Sequence, residues 1–208
     1  MINELLKRYP ALESIREDIQ GATKAIINSY EKGGKVLLCG NGGSAADCEH
    51  IAGELMKGFL KKRPLSAEMK EKMQKRMPDA DFELLSKLQS GLPAISLPSM
   101  TSLNSAFSND IDPELIYAQS VLALAKEEDI LIALSTSGKS RNVCAAVKVA
   151  KALGCVVIGF TGQAGGKLKE YSDICICVPE DETFKIQELH LPVYHYICAA
   201  VEAHFYEE

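Results

Sequence analysis

Residues 36–54 read VLLCGNGGSAADCEHIAGE. The apolar run Val36–Cys39 predicts a buried strand, and the glycines after it indicate a tight turn that leads into a helix. Backbone N–H groups at such a turn, together with the hydroxyl of Ser44, can bind an anion. His50 and Glu54 lie one helical turn apart, so they share a face and suit either a metal site or an acid–base pair. By itself, the turn is also compatible with an ordinary helix cap.

Further short apolar runs alternate with helical patterns along the chain. The runs lack polar alternation and are separated by enough residues for crossovers, as in parallel strands buried on both faces. They are Ala94–Leu97, Ile130–Leu134, Val156–Phe160 and Ile174–Val178. The helical patterns are Ala11–Glu31, Ala45–Phe59, Pro113–Lys126, Arg141–Leu153, Gly165–Tyr171 and Phe184–Phe205. This order predicts an α/β fold, a doubly wound five-stranded parallel sheet flanked by helices.

Two of the predicted helices carry additional expectations. The first presents one apolar stripe, made of Ile15, Ile19, Ala22, Ile26 and Tyr30. A single sandwich offers this stripe no obvious partner, so we interpret the helix as a lid or a subunit interface and expect a homo-oligomer. In the last helix, Pro192 lacks the N–H that would bond to residue 188, which predicts a kink or a break.

Composition narrows the class of protein. A chain of 208 residues, 47% of them hydrophobic, can form one domain over 1–208. The net charge of −5 argues against nucleic acid as a partner and favours a small molecule. Seven cysteines, several within apolar runs, suit a reducing cytoplasm. No segment is long and apolar enough to suggest export or a membrane span. Residues 60–92 are rich in charge and predict a helical insertion.

A second hydroxyl-rich turn follows the strand Ile130–Leu134. Residues 135–140 read STSGKS and lead into a helix, which predicts a second anion cradle beside the first, although the cluster alone fits an ordinary N-cap better. The glycine spacing of a P-loop is absent, so nucleoside triphosphate binding is disfavoured. Gln187 and His195 fall on broadly one side of the last helix and, with His50 and Glu54, make a nitrogen and oxygen set of a kind that zinc accepts. Each of these side chains could instead be a solvated helix residue.

Together these residues resemble the sugar-isomerase (SIS) domain, which has a flavodoxin-like sheet, and within it the phosphoheptose isomerase branch. The resemblance is carried by residues 39–44, His50-x-x-x-Glu54, Asn109-Asp110, residues 135–140, Thr161-Gly162, and residues 186–190 with His195. It implies aldose–ketose isomerisation of a phosphosugar, most simply sedoheptulose 7-phosphate to D-glycero-D-manno-heptose 7-phosphate. It also implies a cytoplasmic homotetramer with one zinc per subunit.

The resemblance assigns roles to individual positions. Glu54 and His195 would be the acid–base pair. Zinc would be held by His50, Glu54, Gln187 and His195. Substrate would be bound by Asn41, Gly42, Gly43, Ser44, Asp110, Ser135, Thr136, Ser137, Ser140 and Gln187. Glu54 and His195 cannot be fully both metal ligands and proton carriers, so the two roles compete.

The chain departs from the family pattern at two positions. Gly58 stands where an arginine is expected, and Phe184 stands where an aspartate is expected. Lys57, Lys61 or Arg63 could supply the missing cation. These departures leave two alternatives open: an SIS isomerase for another phosphosugar, or a non-catalytic SIS module that binds a phosphosugar or the bacterial replication initiator.

Overall fold

A computed structural model describes residues 1–78 and 82–206. Within these residues, five parallel strands form one sheet in the order β2-β1-β3-β4-β5. The strands are β1 (Val36–Cys39), β2 (Ala94–Ser96), β3 (Ile130–Leu134), β4 (Val156–Thr161) and β5 (Ile174–Cys177). The doubly wound parallel sheet predicted from the apolar runs is therefore confirmed.

Helices cover both faces of this sheet. They are α1 (Ile2–Arg8), α2 (Arg16–Glu31), α3 (Gly43–Met56), α4 (Ala67–Arg76), α5 (Phe82–Lys87), α6 (Thr101–Asp110), α7 (Ile116–Leu124), α8 (Arg141–Ala152), α9 (Gly166–Tyr171) and α10 (Thr183–Phe205). Three predicted helices are shorter than expected. The segment Pro10–Ile15 and the segment Pro113–Leu115 are 3₁₀ turns, and α3 ends at Met56 rather than at Phe59.

Successive strand residues pack into two separate cores. Leu38 and Ile132 face the core formed with α2, α3 and α10, whereas Leu37 and Leu131 face the core formed with α7, α8 and α9. Side chains alternate across a strand, so apolar residues at every position are required when both faces are covered. This explains why the strands appear in the sequence as unbroken apolar runs.

The apolar stripe of α2 is covered within the chain. Ile19, Ala22 and Ile26 are 0–1% exposed and belong to the core shared with β5 and α10. The interpretation of this helix as a lid or subunit interface is therefore wrong, because the long C-terminal helix supplies the partner that a simple sandwich lacks. The expectation of an oligomer loses this argument and stays a prediction.

Helix α10 continues through Pro192, so the predicted break does not occur. Pro192 itself is buried, and Val193, Tyr194 and Ile197 after it are 0–3% exposed. Burial of these side chains offsets the roughly 3 kcal/mol that an internal proline costs. The carbonyl left without an N–H belongs to exposed Glu188, where water can satisfy it. No helix in the described part of the chain is long and apolar enough to cross a membrane.

The segment predicted as a helical insertion contains α4 and α5, joined to the body by irregular chain. Helix α4 buries no residue, whereas Leu85 of α5 is 3% exposed. An isolated antiparallel bridge between Pro64 and Gln89 closes the base of the segment. That the insertion begins at residue 60 and ends at residue 92 stays a prediction. Part of the insertion lies outside the described residues.

Candidate active site

Two turns with polar, glycine-containing sequences lie side by side at the carboxyl edge of the sheet. The first follows β1 and begins α3; the second follows β3 and precedes α8. Strands β1 and β3 are direct neighbours, and the chain order reverses between them. In open parallel sheets, ligands bind in the crevice at such a reversal. The position of both turns therefore agrees with the two predicted anion cradles.

The glycine turn is closed by contact with α10. Gly42 has φ +56°, a conformation that favours glycine, and it caps α3. A Cβ atom on Gly43 would lie 2.3 Å from Nε2 of Gln187, so a larger residue there would displace the end of the Gln187 side chain. Ser44 is buried in the first turn of α3. Gln187 thus contacts the glycine turn itself, at the N-terminal end of α3.

The hydroxyl-rich turn is held in shape by its own side chains. The hydroxyls of Ser135 and Ser140 are 2.9 Å apart, and Oγ of Ser137 accepts a hydrogen bond from the Lys139 N–H at 3.2 Å. The Thr136 carbonyl accepts from the Gly162 N–H at 3.0 Å. Gly138 has φ +63° and packs directly on the Gly165 carbonyl, so a side chain there is excluded.

A pair of amides ties the two turns together. Asn41 and Asn142 exchange hydrogen bonds in both directions at 2.9 Å. Tyr117 donates to the Gly40 carbonyl at 2.7 Å and lies 3.2 Å from Oδ1 of Asn41. Asn142 and Tyr117 were not predicted as site residues, because nothing in the local sequence of α7 or α8 indicates that they reach the glycine turn.

Farther along α3, three ionisable side chains from two helices meet; we call His50, Glu54 and His195 the open cluster. Nε2 of His50 lies 3.4 Å from Nε2 of His195 and 3.4 Å from Oε1 of Glu54. The His50 side chain is 43% exposed and that of Glu54 is 13% exposed, so solvent or a ligand can reach the cluster. Burial and the neighbouring His50 lower the pKa of His195, which keeps its imidazole neutral at pH 7.

The other nitrogen of His50 contacts a buried tyrosine. Nδ1 of His50 lies 3.0 Å from the hydroxyl of Tyr194, and this hydroxyl donates to Oδ1 of Asp47 at 3.2 Å. Burial raises the pKa of Asp47, against the opposing effects of the Tyr194 hydrogen bond and of His50. Burial raises the pKa of Tyr194 above its ordinary value, so its phenol keeps its proton. Asp47 lies one turn before His50 on α3, a spacing that could have indicated it from sequence.

The three cations considered as replacements for the missing arginine have different positions. Nζ of Lys57 lies 3.4 Å from Oε2 of Glu54, at the open cluster. Lys61 instead donates to the Tyr206 carbonyl at 2.8 Å. A Cβ atom on Gly58 would lie 2.5 Å from the Lys61 carbonyl oxygen, so a larger residue at this position would require the backbone to shift. Of the three candidates, Lys57 is the one whose ammonium reaches Glu54.

Arg63 cannot supply that cation, because it forms a buried ion pair with Glu202. Their side chains are 0% and 1% exposed, and Nε of Arg63 lies 2.7 Å from Oε1 of Glu202. Arg63 also donates to the carbonyls of Leu55 at 2.6 Å and Glu54 at 3.2 Å, at the end of α3. Glu202 accepts from the N–H groups of residues 59–61. We call Arg63 and Glu202 the buried ion pair.

The structure therefore brings together three of the four predicted zinc ligands. Gln187 lies against Gly43 instead. Asp110, at the exposed end of α6, accepts a hydrogen bond from Asn109 at 2.9 Å, and Phe184 is 55% exposed at the start of α10. Among residues 1–78 and 82–206, no group of three or more histidine, cysteine, aspartate or glutamate side chains is arranged to hold a metal ion. The two close contacts of His50 are pairs rather than a closed ligand shell.

Comparison with known proteins agrees with this architecture. Two SIS-domain family profiles match residues 2–89 and 102–202. A phosphoheptose isomerase of Roseiflexus sp. (strain RS-1) is 39% identical over 190 residues, which cover 91% of this chain and 83% of that relative. The chain belongs to the phosphoheptose isomerase family. Another member of this family, from Helicobacter pylori (strain P12), is 38% identical over 202 residues, covering 97% of this chain and 91% of that relative.

Solved phosphoheptose isomerase structures share the fold. The enzyme of Neisseria gonorrhoeae superposes with a TM-score of 0.76 at 30% identity, covering 97% of this chain and 94% of that chain. The enzyme of Francisella tularensis gives a TM-score of 0.76 at 31% identity, covering 93% and 90%. The resemblance inferred from the sequence motifs is confirmed, while the roles of individual site residues stay predictions.

Proposed function

We propose that this phosphoheptose isomerase family member interconverts sedoheptulose 7-phosphate and D-glycero-D-manno-heptose 7-phosphate. The observation that carries the proposal is the open cluster on the helix that starts at the glycine turn. His50 is seven positions after Gly43, so at 1.5 Å per residue the cluster lies about 10 Å along the helix from the turn. This separation suits a linear sugar with its phosphate at one end and its carbonyl carbon at the other.

The two turns would bind the phosphate. The hydroxyls of Ser44, Ser135 and Ser140 would donate to the phosphate near the N-terminal end of α3, where the helix dipole favours an anion. The hydrogen bonds of Asn41 with Asn142 fix the distance between the turns. Because this geometry exists before the ligand arrives, less ordering is needed when the phosphate binds. Asn41 and Asp110 are the positions proposed to contact the sugar hydroxyls.

Glu54 and His195 would carry the protons of the isomerisation. From the ketose, Glu54 would remove a proton from C1, and the C1–H electron pair would form the C1=C2 bond of a cis-enediol as O2 takes a proton from the neutral ring of His195. His195 would then recover a proton from O1, and Glu54 would return its proton to C2, so that O1 becomes the aldehyde oxygen. No atom is gained or lost. A neutral His195 can both accept and donate in this sequence, which its lowered pKa supports.

The open cluster also fits part of a zinc site. Tetrahedral zinc with ligand bonds of 2.0–2.1 Å places its ligand atoms roughly 3.4 Å apart, and the two contacts of His50 Nε2 are both 3.4 Å. We propose that His50, Glu54, Gln187 and His195 hold one zinc per subunit, with Gln187 turning from Gly43 toward the cluster. Bound zinc would polarise the carbonyl oxygen of the substrate, and the roles of Glu54 and His195 would then shift from proton transfer toward holding the metal.

The function is tested by incubating the purified protein with a panel of five- to seven-carbon ketose phosphates and following aldose formation. We expect turnover of sedoheptulose 7-phosphate and a loss of about 10²- to 10⁴-fold in Glu54→Gln, as for removal of a general base. Glu49→Gln is the matched control, since Glu49 is on the same helix and bonds to Ser99 instead. Turnover of a different sugar alone would assign another substrate, and binding without turnover would indicate a non-catalytic module.

Zinc is tested by elemental analysis of the native protein and of His50→Ala. We expect up to one zinc per chain in the native protein and a large loss in the variant. Occupancy should fall below about pH 6.5, because imidazole must be neutral to bind the metal. Zinc-free native protein with full activity after treatment with a strong chelator would contradict the proposal and leave these residues with acid–base roles only.

We further propose that the protein is a cytoplasmic homotetramer in which a neighbour completes each site. An apolar groove next to His195 supports this assembly; it is lined in part by Met1, Leu5, Tyr9, Phe59, Leu60 and Leu191. Leu60 in this groove is 69% exposed and Leu191 is 40% exposed, so part of its apolar lining is open to a second subunit. The free thiols of all seven cysteines suit a reducing compartment. Sedimentation of a monomer at micromolar concentration would contradict the assembly.

A further inference from the structure

We propose that Asp47 and Tyr194 are positioning residues that hold His50 in one tautomer, with the proton on Nδ1 and the lone pair of Nε2 directed into the open cluster. This inference rests on the proposed function for the use of that lone pair. The hydrogen-bond chain itself, from Asp47 through the Tyr194 hydroxyl to the ring of His50, is a geometric feature of the fold and can be measured separately.

The donor and the acceptor of each hydrogen bond among Asp47, Tyr194 and His50 follow from counting protons. A tyrosine hydroxyl has one proton, and here it is donated to Oδ1 of Asp47. The oxygen of Tyr194 can then only accept from Nδ1 of His50, 3.0 Å away, so that nitrogen must carry a proton. A neutral imidazole has one ring proton, and Nε2 is therefore left without one. This nitrogen is the atom that faces Glu54 and His195.

Packing keeps the three side chains in this arrangement. Tyr194 is 2% exposed and its ring meets that of His50 edge to face, with centroids 5.5 Å apart. Asp47 and His50 are three residues apart on one helix, so both point toward the same tyrosine. Oδ1 of Asp47 accepts from the Tyr194 hydroxyl. Oδ2 of Asp47 is buried and has no hydrogen-bond partner in the described part of the chain.

A fixed tautomer would matter for both roles of His50. A metal binds an unprotonated ring nitrogen, and a partner on the other nitrogen orients the ring. Without the Tyr194 hydroxyl, the proton of His50 could occupy Nε2, where it would oppose a metal or a proton held by His195. Since Tyr194→Phe removes only the hydroxyl from a buried ring, we expect the variant to fold.

The direct test is nitrogen NMR of the histidine rings in zinc-free full-length protein, where only four histidines need assignment. We expect His50 to show a protonated Nδ1 and an unprotonated Nε2, and zinc addition to leave that pattern unchanged. In Tyr194→Phe the two tautomers should both appear. Tyr196→Phe, on the same helix, is the control that should match the wild type. A protonated Nε2 on His50 in the wild type, or an unchanged pattern in Tyr194→Phe, would overturn the inference.

Two functional readouts separate this inference from the proposed function. Loss of an outer partner of a ligating histidine typically weakens metal binding about 10- to 100-fold, so we expect that loss of zinc affinity and a lower kcat with little change in KM for Tyr194→Phe. If the protein proves to lack isomerase activity, the NMR result still decides the tautomer. Wild-type zinc affinity and kcat in a variant with mixed tautomers would show that the positioning has no functional role.

Discussion

Helices α3 and α10 meet through charged groups in two places, and the two places are built differently. At the open cluster, His50 and His195 are solvent-accessible and their polar contacts are 3.4 Å long. About two turns farther along α10, Glu202 is sealed from solvent and accepts short hydrogen bonds from Arg63 and from the backbone of residues 59–61. The long, incomplete contacts leave room for a ligand, whereas the saturated ones leave none. Charged residues beside the same two helices thus form an accessible group at one level and a sealed ion pair at the next.

The largest effect is expected when a glutamate is replaced by glutamine in each of the two places. Glu202→Gln should lower the free energy of unfolding by about 3–5 kcal/mol, because Arg63 would remain buried without a counter-charge. Hydrogen bonds from Phe59, Leu60 and Arg63 outweigh the effect of burial and lower the pKa of Glu202, so the native site prefers the carboxylate. Glu54→Gln should remove turnover with little loss of stability. Urea unfolding and initial rates of both variants test this, and equal stability losses would remove the distinction.

A second test uses a buried group on α10 that is neutral rather than charged. His190 is 0% exposed, and burial lowers its pKa to about 4. In the unfolded chain its pKa is near 6.5, so the unfolded state binds a proton first as pH falls. The contribution of His190 to the free energy of unfolding is therefore fully present above pH 6.5. It is lost as pH falls toward 4, by at most about 3 kcal/mol.

His190→Gln is the variant that isolates this contribution, because the amide can still donate to the Thr161 carbonyl that His190 contacts at 3.3 Å. We expect the free energy of unfolding, measured in urea between pH 7 and about pH 4, to fall less steeply in the variant than in the wild type. Parallel curves for the two proteins would show that His190 does not contribute to acid sensitivity.

The smallest effect is expected at the edge of the open cluster. Lys57 is 60% exposed, and its contact with Glu54 is screened by solvent, so Lys57→Met should change stability by only a few tenths of a kcal/mol. If Lys57 supplies the cation that the family places one residue later, KM for the phosphosugar should rise several-fold with kcat less affected. Lys62→Met is a nearby control. An unchanged KM would exclude Lys57 from substrate binding.

Much of the fold was predictable because its strands are short, apolar and separated by helical patterns. The runs beginning at Val36, Ala94, Ile130, Val156 and Ile174 all became strands, and the two turns fell at neighbouring carboxyl ends. The spacing of His50 and Glu54 likewise placed them on one face of α3. These features depend on local periodicity and on the rules for parallel sheets, which act within a few residues.

Contacts between distant segments were less predictable. From sequence, Arg63 was a candidate for the active-site cation and α2 was a candidate interface. Tyr194 was not among the predicted site residues. In the structure, Arg63 pairs with a residue 139 positions away, and Tyr194 meets Asp47 across 147 positions. Nothing in the local pattern of either segment encodes such a partner.

The sequence by itself therefore determined the class of fold, the edge of the sheet that carries the candidate site, and the family to which the chain belongs. Only the tertiary structure decided which charges are buried and which are open. That choice depends on how α10 lies along α3, since this packing closes solvent away from Glu202 while leaving His50 and Glu54 accessible. The same side-chain chemistry has opposite consequences in the two environments, because burial removes the water that would otherwise solvate an unpaired charge.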